Sequence, residues 1–174
     1  MNADLRRKKI LNIISHQKGP SSASLLAEKM NVSRQIIVGD VALLRAQGYD
    51  IIATARGYII PKPSEMNHYI GKVVCQHSPK DTKDELYKIV DLEARVLDVI
   101  VEHNLYGEIR GGLNLSSRKE VDEFTRKVDN SEIKLLLELT QGIHTHTIGC
   151  RNKEHFEEVL NELDKSGYLY HSVR

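Results

Sequence analysis

NVSRQIIVGDVALLRAQGYDIIATARGY, residues 31–58, decides the first domain. Ser33 is a favoured N-cap, and Gly48 is a natural residue just past a helix C-terminus, so the spacing predicts a helix between them. Ile37, Val41 and Leu44 recur at i, i+4 and i+7 and form one buried stripe. The other side carries Arg34, Gln35, Val38, Gly39 and Ala42, with Arg45 at the far end. Arginine and glutamine in the first turn of a helix with small neighbours suit major-groove reading: arginine can bond guanine and glutamine adenine in bidentate fashion. Downstream, Ile51–Ala53 and Tyr58–Ile60 are short β-prone runs around a turn holding Arg56 and Gly57. They predict a hairpin with a basic tip, the wing of a winged helix.

Working towards the N-terminus, residues 3–16 read as a helix with Leu5, Ile10, Ile13 and Ile14 inward, and Arg6, Arg7, Lys8 and Lys9 available to phosphates. Gly19-Pro20 breaks it. Ser22 caps a second helix through Met30, with Leu25, Leu26 and Met30 inward. Three helices and a hairpin make a winged helix-turn-helix, with Ser33, Arg34, Gln35, Arg45 and Arg56 as candidate DNA contacts. Pro61-Lys62-Pro63 stops the wing, placing domains at 1–63 and 64–174.

Charge supports this division. Residues 1–63 hold ten Lys/Arg against four Asp/Glu, and residues 64–174 hold 15 against 20, giving net charges of +6 and −5. Such a basic front half favours a polyanionic partner there alone. Two cysteines, Cys75 and Cys150, rule out a disulfide framework. With no apolar run of membrane-spanning length and no signal peptide, the expectation is a soluble cytoplasmic protein.

The second half alternates strands and helices, predicting an α+β sheet domain with helices on one face. The expected strands are 69–76, 94–102, 109–115, 142–150 and 168–173. Thr82-x-x-Glu85 and Ser117-x-x-Glu120 read as capping boxes for helices to about Val90 and Asn130. A third helix runs from Asn152 to about Ser166, and Leu135–Thr140 is ambiguous. His144 and His146, at i and i+2 on a strand, project from the same face. With His77 at the end of another strand and Glu85 in the following helix, they offer N/O ligands for zinc, nickel or iron. The alternative is a pair of strand histidines bonded to neighbours. Cys75 and Cys150 read as small buried hydrophobes, although each lies in register with a candidate ligand.

The stretch 31–58, followed by a domain with H-S-P-x-D at 77–81 and G-I-H-T-H-T-I at 142–148, resembles the nicotinate-responsive repressors of NAD biosynthesis (NiaR type). Those combine a biotin-repressor-like winged helix with a 3H domain, and the resemblance spans nearly the whole chain. It implies a cytoplasmic homodimer that represses NAD-synthesis or niacin-uptake genes on double-stranded operator DNA, with nicotinic acid as co-repressor. It also implies one divalent metal per subunit on His77, Glu85, His144 and His146. Two other classes are weighed beside it. In a metal-responsive regulator the ion itself is the signal. In a metalloenzyme Glu85 would act as base, but no second carboxylate or nucleophile stands at a telling spacing.

Overall fold

A computed structural model describes residues 2–61, 69–130 and 134–171. Contacts divide the chain into two units, residues 1–66 and 67–174. The boundary expected at 63/64 lies outside the described residues.

The first unit contains α1 (Ala3–His16), α2 (Ala23–Met30), α3 (Arg34–Ala46) and a hairpin of β1 (Ile52–Thr54) and β2 (Gly57–Ile59). Asn2, Ser22 and Ser33 cap the three helices by accepting bonds from backbone N–H groups in the first turns. Asn31, in the left-handed conformation at φ 53°, ends α2 and turns the chain into α3. Ile10, Ile14, Leu26, Met30, Ile37, Val41 and Leu44 meet in one core, closed by Ile51. Leu25 and Ile13 are half-buried, and Leu5, expected inside, is 50% exposed because at about 3.6 residues per turn it falls on the side of α1 away from buried Ile10 and Ile14.

The wing is anchored rather than free-standing. Tyr58 and Ser21 exchange two backbone hydrogen bonds of 2.9 Å, so the chain before α2 acts as a third strand. Gly57, at φ +138°, lies so close to Ser21 and Ser22 that a Cβ would overlap their backbone.

The second unit is one antiparallel sheet in the order β3-β6-β4-β5: β3 (Tyr69–Gln76), β4 (Arg95–His103), β5 (Gly107–Leu115) and β6 (Ile143–Cys150). The last strand thus inserts between β3 and β4. α4 (Thr82–Val90) packs against α5 (Arg118–Asp129) and α6 (Lys153–Lys165), and against β4; α6 covers β3 and β6. At Gly71 the ring of Phe156 occupies the place of a side chain, which brings α6 close to the sheet. Leu136–Thr140 is a 3₁₀ turn. The strand expected over 168–173 shrinks, within the described residues, to a bridge between Leu169 and Cys75 and two bonds to the β3 edge.

Both capping boxes change. Ser117 does cap α5, but Glu120 accepts from the backbone N–H and hydroxyl of Ser116 instead of closing the box. At α4 the preceding residue, Asp81, makes no side-chain cap, and Glu85 turns away from the backbone altogether.

Candidate functional site

In the first unit, Arg34 and Gln35 stand exposed in the first turn of α3, beside exposed Val38, Gly39 and Ala42. A Cβ on Gly39 would meet nothing within 4 Å, so packing within the unit does not demand the glycine. The Ser33 hydroxyl accepts from Ile36 N–H at 3.3 Å and fixes the start of the helix. Arg45, also exposed, makes contacts within the unit: its Nε donates to the Ile51 carbonyl at 2.6 Å and its guanidinium lies 5.7 Å from the Tyr58 ring centroid. It therefore ties α3 to the wing. Arg56 sits in the wing turn, where its N–H donates to the Thr54 hydroxyl. Of the basic run on α1, Arg6 donates to Asp40 at 2.5 Å and 3.3 Å, and Arg7 at 3.4 Å. Asp40 is 4% exposed, so these two arginines clamp α1 onto α3 and leave Lys8 and Lys9 as the exposed cations.

In the second unit, strand register builds a cluster. Cys75 pairs with His144 and Val73 with His146, on the sheet face that α4 and α6 cover. α4 brings Glu85, wholly buried, onto that face. Nε2 of His77 lies 2.8 Å from Glu85 Oε2, that of His146 3.3 Å from the same oxygen, and that of His144 3.3 Å from Oε1. All four predicted ligands are thus brought together, with side chains at most 4% exposed. Cys75 also faces the cluster: a sulfur, a Glu85 oxygen and a His144 nitrogen lie within 4.8 Å of one another.

Each imidazole is oriented from behind. His77 Nδ1 bonds the Ser78 carbonyl, His144 Nδ1 that of Gly142 and His146 Nδ1 that of Asp98, each at 2.8 Å. A carbonyl only accepts, so each Nδ1 carries the proton and each neutral ring turns an Nε2 lone pair inward. Three lone pairs then face a carboxylate that also only accepts. Such a set is satisfied by extra protons or by one cation.

Without a cation, protons must serve. Burial pushes His77 and His146 down, but Glu85 outweighs it, and both end above the usual imidazole value. Burial would raise Glu85, yet the facing imidazoles hold it well below the usual carboxylate range. Burial and Glu85 push the Cys75 thiol up, so it stays protonated in the metal-free cluster.

Comparison with known families matches an HTH domain over residues 6–59 and a 3H domain over residues 70–172. The chain is 42% identical over 164 residues to the probable transcription repressor NiaR of Thermotoga maritima, covering 94% of this chain and 93% of that one. It is 35% identical over 166 residues to the transcription repressor NadR of Bacillus subtilis, covering 94% and 92%. The chain belongs to the NiaR/NadR family of transcription repressors. That is a family of DNA-binding regulators, not of enzymes. No helix among the described residues of this NiaR/NadR repressor is long and apolar enough to cross a membrane.

Sequence reasoning passed over the residues that hold the histidines. Asp98 orients His146 from β4, at a register shift between Val96 and Asp98. That partnership spans 48 residues and leaves no local signal. Gly142 was open to recognition. It sits at φ +89° immediately before the H-x-H strand, and a Cβ there would overlap the His77 carbonyl oxygen. The glycine lets the start of β6 approach His77 closely enough to join its ring to those of His144 and His146. Gly142→Ala is expected to destabilise the protein by about 1–3 kcal/mol through backbone strain and to lower metal retention. A thermal melt with a parallel metal assay checks both.

Proposed function

We propose that this NiaR/NadR-family chain is a cytoplasmic homodimeric repressor of NAD-biosynthesis or niacin-uptake genes, with nicotinic acid as co-repressor and one divalent metal per subunit. The supporting observation is the buried cluster of His77, Glu85, His144 and His146, whose inward groups are all acceptors and whose rings are pre-oriented by carbonyls. One zinc, nickel or iron ion satisfies that set. When bound it supplies a Lewis-acidic position that a pyridine nitrogen or a carboxylate can reach. Nicotinic acid must favour the DNA-competent state, since a ligand that binds both states equally shifts nothing.

On DNA, the two copies present their α3 helices to the half-sites of a pseudo-palindromic operator. Arg34 and Gln35 read bases, Ser33 caps the helix beside a phosphate, and Arg56 meets the backbone or minor groove from the wing. Arg45 acts by holding the wing against α3. Arg34→Ala is expected to weaken specific binding by about 1–3 kcal/mol with little change on random DNA. An equal loss on both would make Arg34 a phosphate contact.

Burial of the whole cluster favours a second reading, in which the metal itself is the signal. Fluorescence anisotropy of the metal-loaded protein on its own upstream DNA separates the two. Tightening by nicotinic acid, and not by nicotinamide or NAD, supports the first. Binding that follows added metal and ignores every pyridine replaces it with the second.

A further inference from the structure

α3 carries three large aliphatic side chains in contact with solvent: Ile36 is 42% exposed, Val38 40% and Leu43 51%. A single exposed aliphatic needs no explanation on an ordinary surface. On the helix of a DNA-binding repressor, its place around the axis decides what it meets. At about 3.6 residues per turn, Gln35, Gly39, Ala42 and Ala46 run along the middle of the side opposite buried Ile37, Val41 and Leu44. Beyond Gln35 this strip has no side chain longer than a methyl, and a Cβ on Gly39 would meet nothing within 4 Å. Val38 lies about 60° round the axis from Gln35 and about 40° from Arg34, one turn further along the same flank. Ile36 and Leu43 lie about 80–100° from Gln35 on the other flank. Val38 is also the fifth residue of α3 and Leu43 the tenth; in this motif the N-terminal part of the helix meets base edges.

We infer that Val38 packs on the 5-methyl group of a thymine in the major groove of the operator, beside the base pairs read by Arg34 and Gln35. This rests on the operator reading given above and adds a specificity residue to it. The bare strip lets α3 lie deep in the groove, which carries its Arg34–Val38 flank to the base edges. Val38 has no donor or acceptor, and the thymine methyl is the apolar group that the major groove displays. Arginine and glutamine, bonding guanine and adenine, leave that methyl unread. Covering one methyl is worth about fourfold in affinity. Uracil keeps every hydrogen-bonding group of thymine and lacks only the methyl, so the exchange isolates this contact.

The zinc-loaded full chain, with nicotinic acid present, first selects its site from random duplexes. The selected duplex is then made with thymine or with deoxyuridine throughout. Fluorescence anisotropy at fixed salt gives the affinity of each for wild type, Val38→Ala, Ile36→Ala and Leu43→Ala. Wild type is expected to lose about fourfold for each methyl it covers when uracil replaces thymine. Val38→Ala is expected to bind the thymine duplex about as weakly as wild type binds the uracil one, and to respond much less to the exchange. Its melting temperature is no lower than wild type, because the side chain is exposed and alanine favours the helix. Ile36→Ala and Leu43→Ala keep the full wild-type response. A wild-type affinity untouched by uracil, or an equal response in Val38→Ala, overturns the methyl contact and leaves the Arg34 and Gln35 reading standing. If no sequence emerges from the selection, the operator reading is overturned and the contact falls with it.

Discussion

Glu85→Ala is expected to lose metal almost entirely and to destabilise the metal-free second unit by about 3–5 kcal/mol, the range for removing one partner from a buried charge cluster. Glu85 is the hub: all three imidazoles approach its two oxygens, and it has no exposure to water. Deleting it leaves three buried rings facing one another and a gap where α4 met the sheet. Glu85→Gln separates the two effects. Its amide can still donate to an Nε2 lone pair, so the metal-free fold is kept much closer to wild type, but the anionic ligand is gone. We expect metal affinity to fall at least about 100-fold, beyond the loss typical of an outer-shell change. Metal analysis after dialysis and a thermal melt with and without chelator give the two numbers. One equivalent of metal retained by Glu85→Ala would remove Glu85 from the ligand set.

Chelation should have a strongly pH-dependent effect, with a sign fixed by the protonation of His77, Glu85 and His146. His77 and His146 titrate above their ordinary value of 6.5. The stability they give the metal-free protein is therefore complete below about 6.5 and is lost as pH rises through their raised values. Glu85 titrates well below its ordinary 4.5, so its contribution is present above about 4.5 and is lost as pH falls further. The metal-free cluster is thus most favourable between about pH 4.5 and 6.5, where protons bridge the rings to the carboxylate. A metal needs those nitrogens unprotonated and gains as pH rises. Chelator is expected to change the melting temperature little near pH 5.5. Near pH 8 it should remove about 4 kcal/mol of stabilisation if free metal stands at a thousand times its dissociation constant. An equal drop at both values would show that proton and metal do not compete for these rings.

The legible parts of the molecule were those written in adjacent residues. Ser33, the Ile37–Val41–Leu44 stripe and Gly48 specify α3 by cap, period and stop, and the helix runs Arg34–Ala46. The i, i+2 spacing of His144 and His146 fixes a shared face, and the structure brings the expected partners His77 and Glu85 to it. What escaped depended on partners distant in sequence. Arg6 and Arg7 look like free cations until α3 presents Asp40, and the bonds of Arg45 to Ile51 and Tyr58 appear only once the chain returns with them. Thr82-x-x-Glu85 satisfies the local rule for a capping box, but three imidazoles outcompete one backbone N–H for the carboxylate. The segment after Gly167 has β propensity, yet at the sheet edge it forms only one bridge among the described residues.

The strand order has a consequence for synthesis. β6 lies between β3 and β4 although it is made last of the four. As the chain leaves the ribosome, the β4–β5 hairpin is the one part of the sheet able to pair early; β3 waits, unpartnered, for some seventy residues. Chains are made at about 5–20 residues per second, so His77 and Glu85 are extruded several seconds before His144 and His146. The whole of the first unit is already synthesised by then. An interrupted product that ends before β6 therefore carries His77 and Glu85 but neither His144 nor His146, which makes completion of β6 the step that assembles the buried cluster.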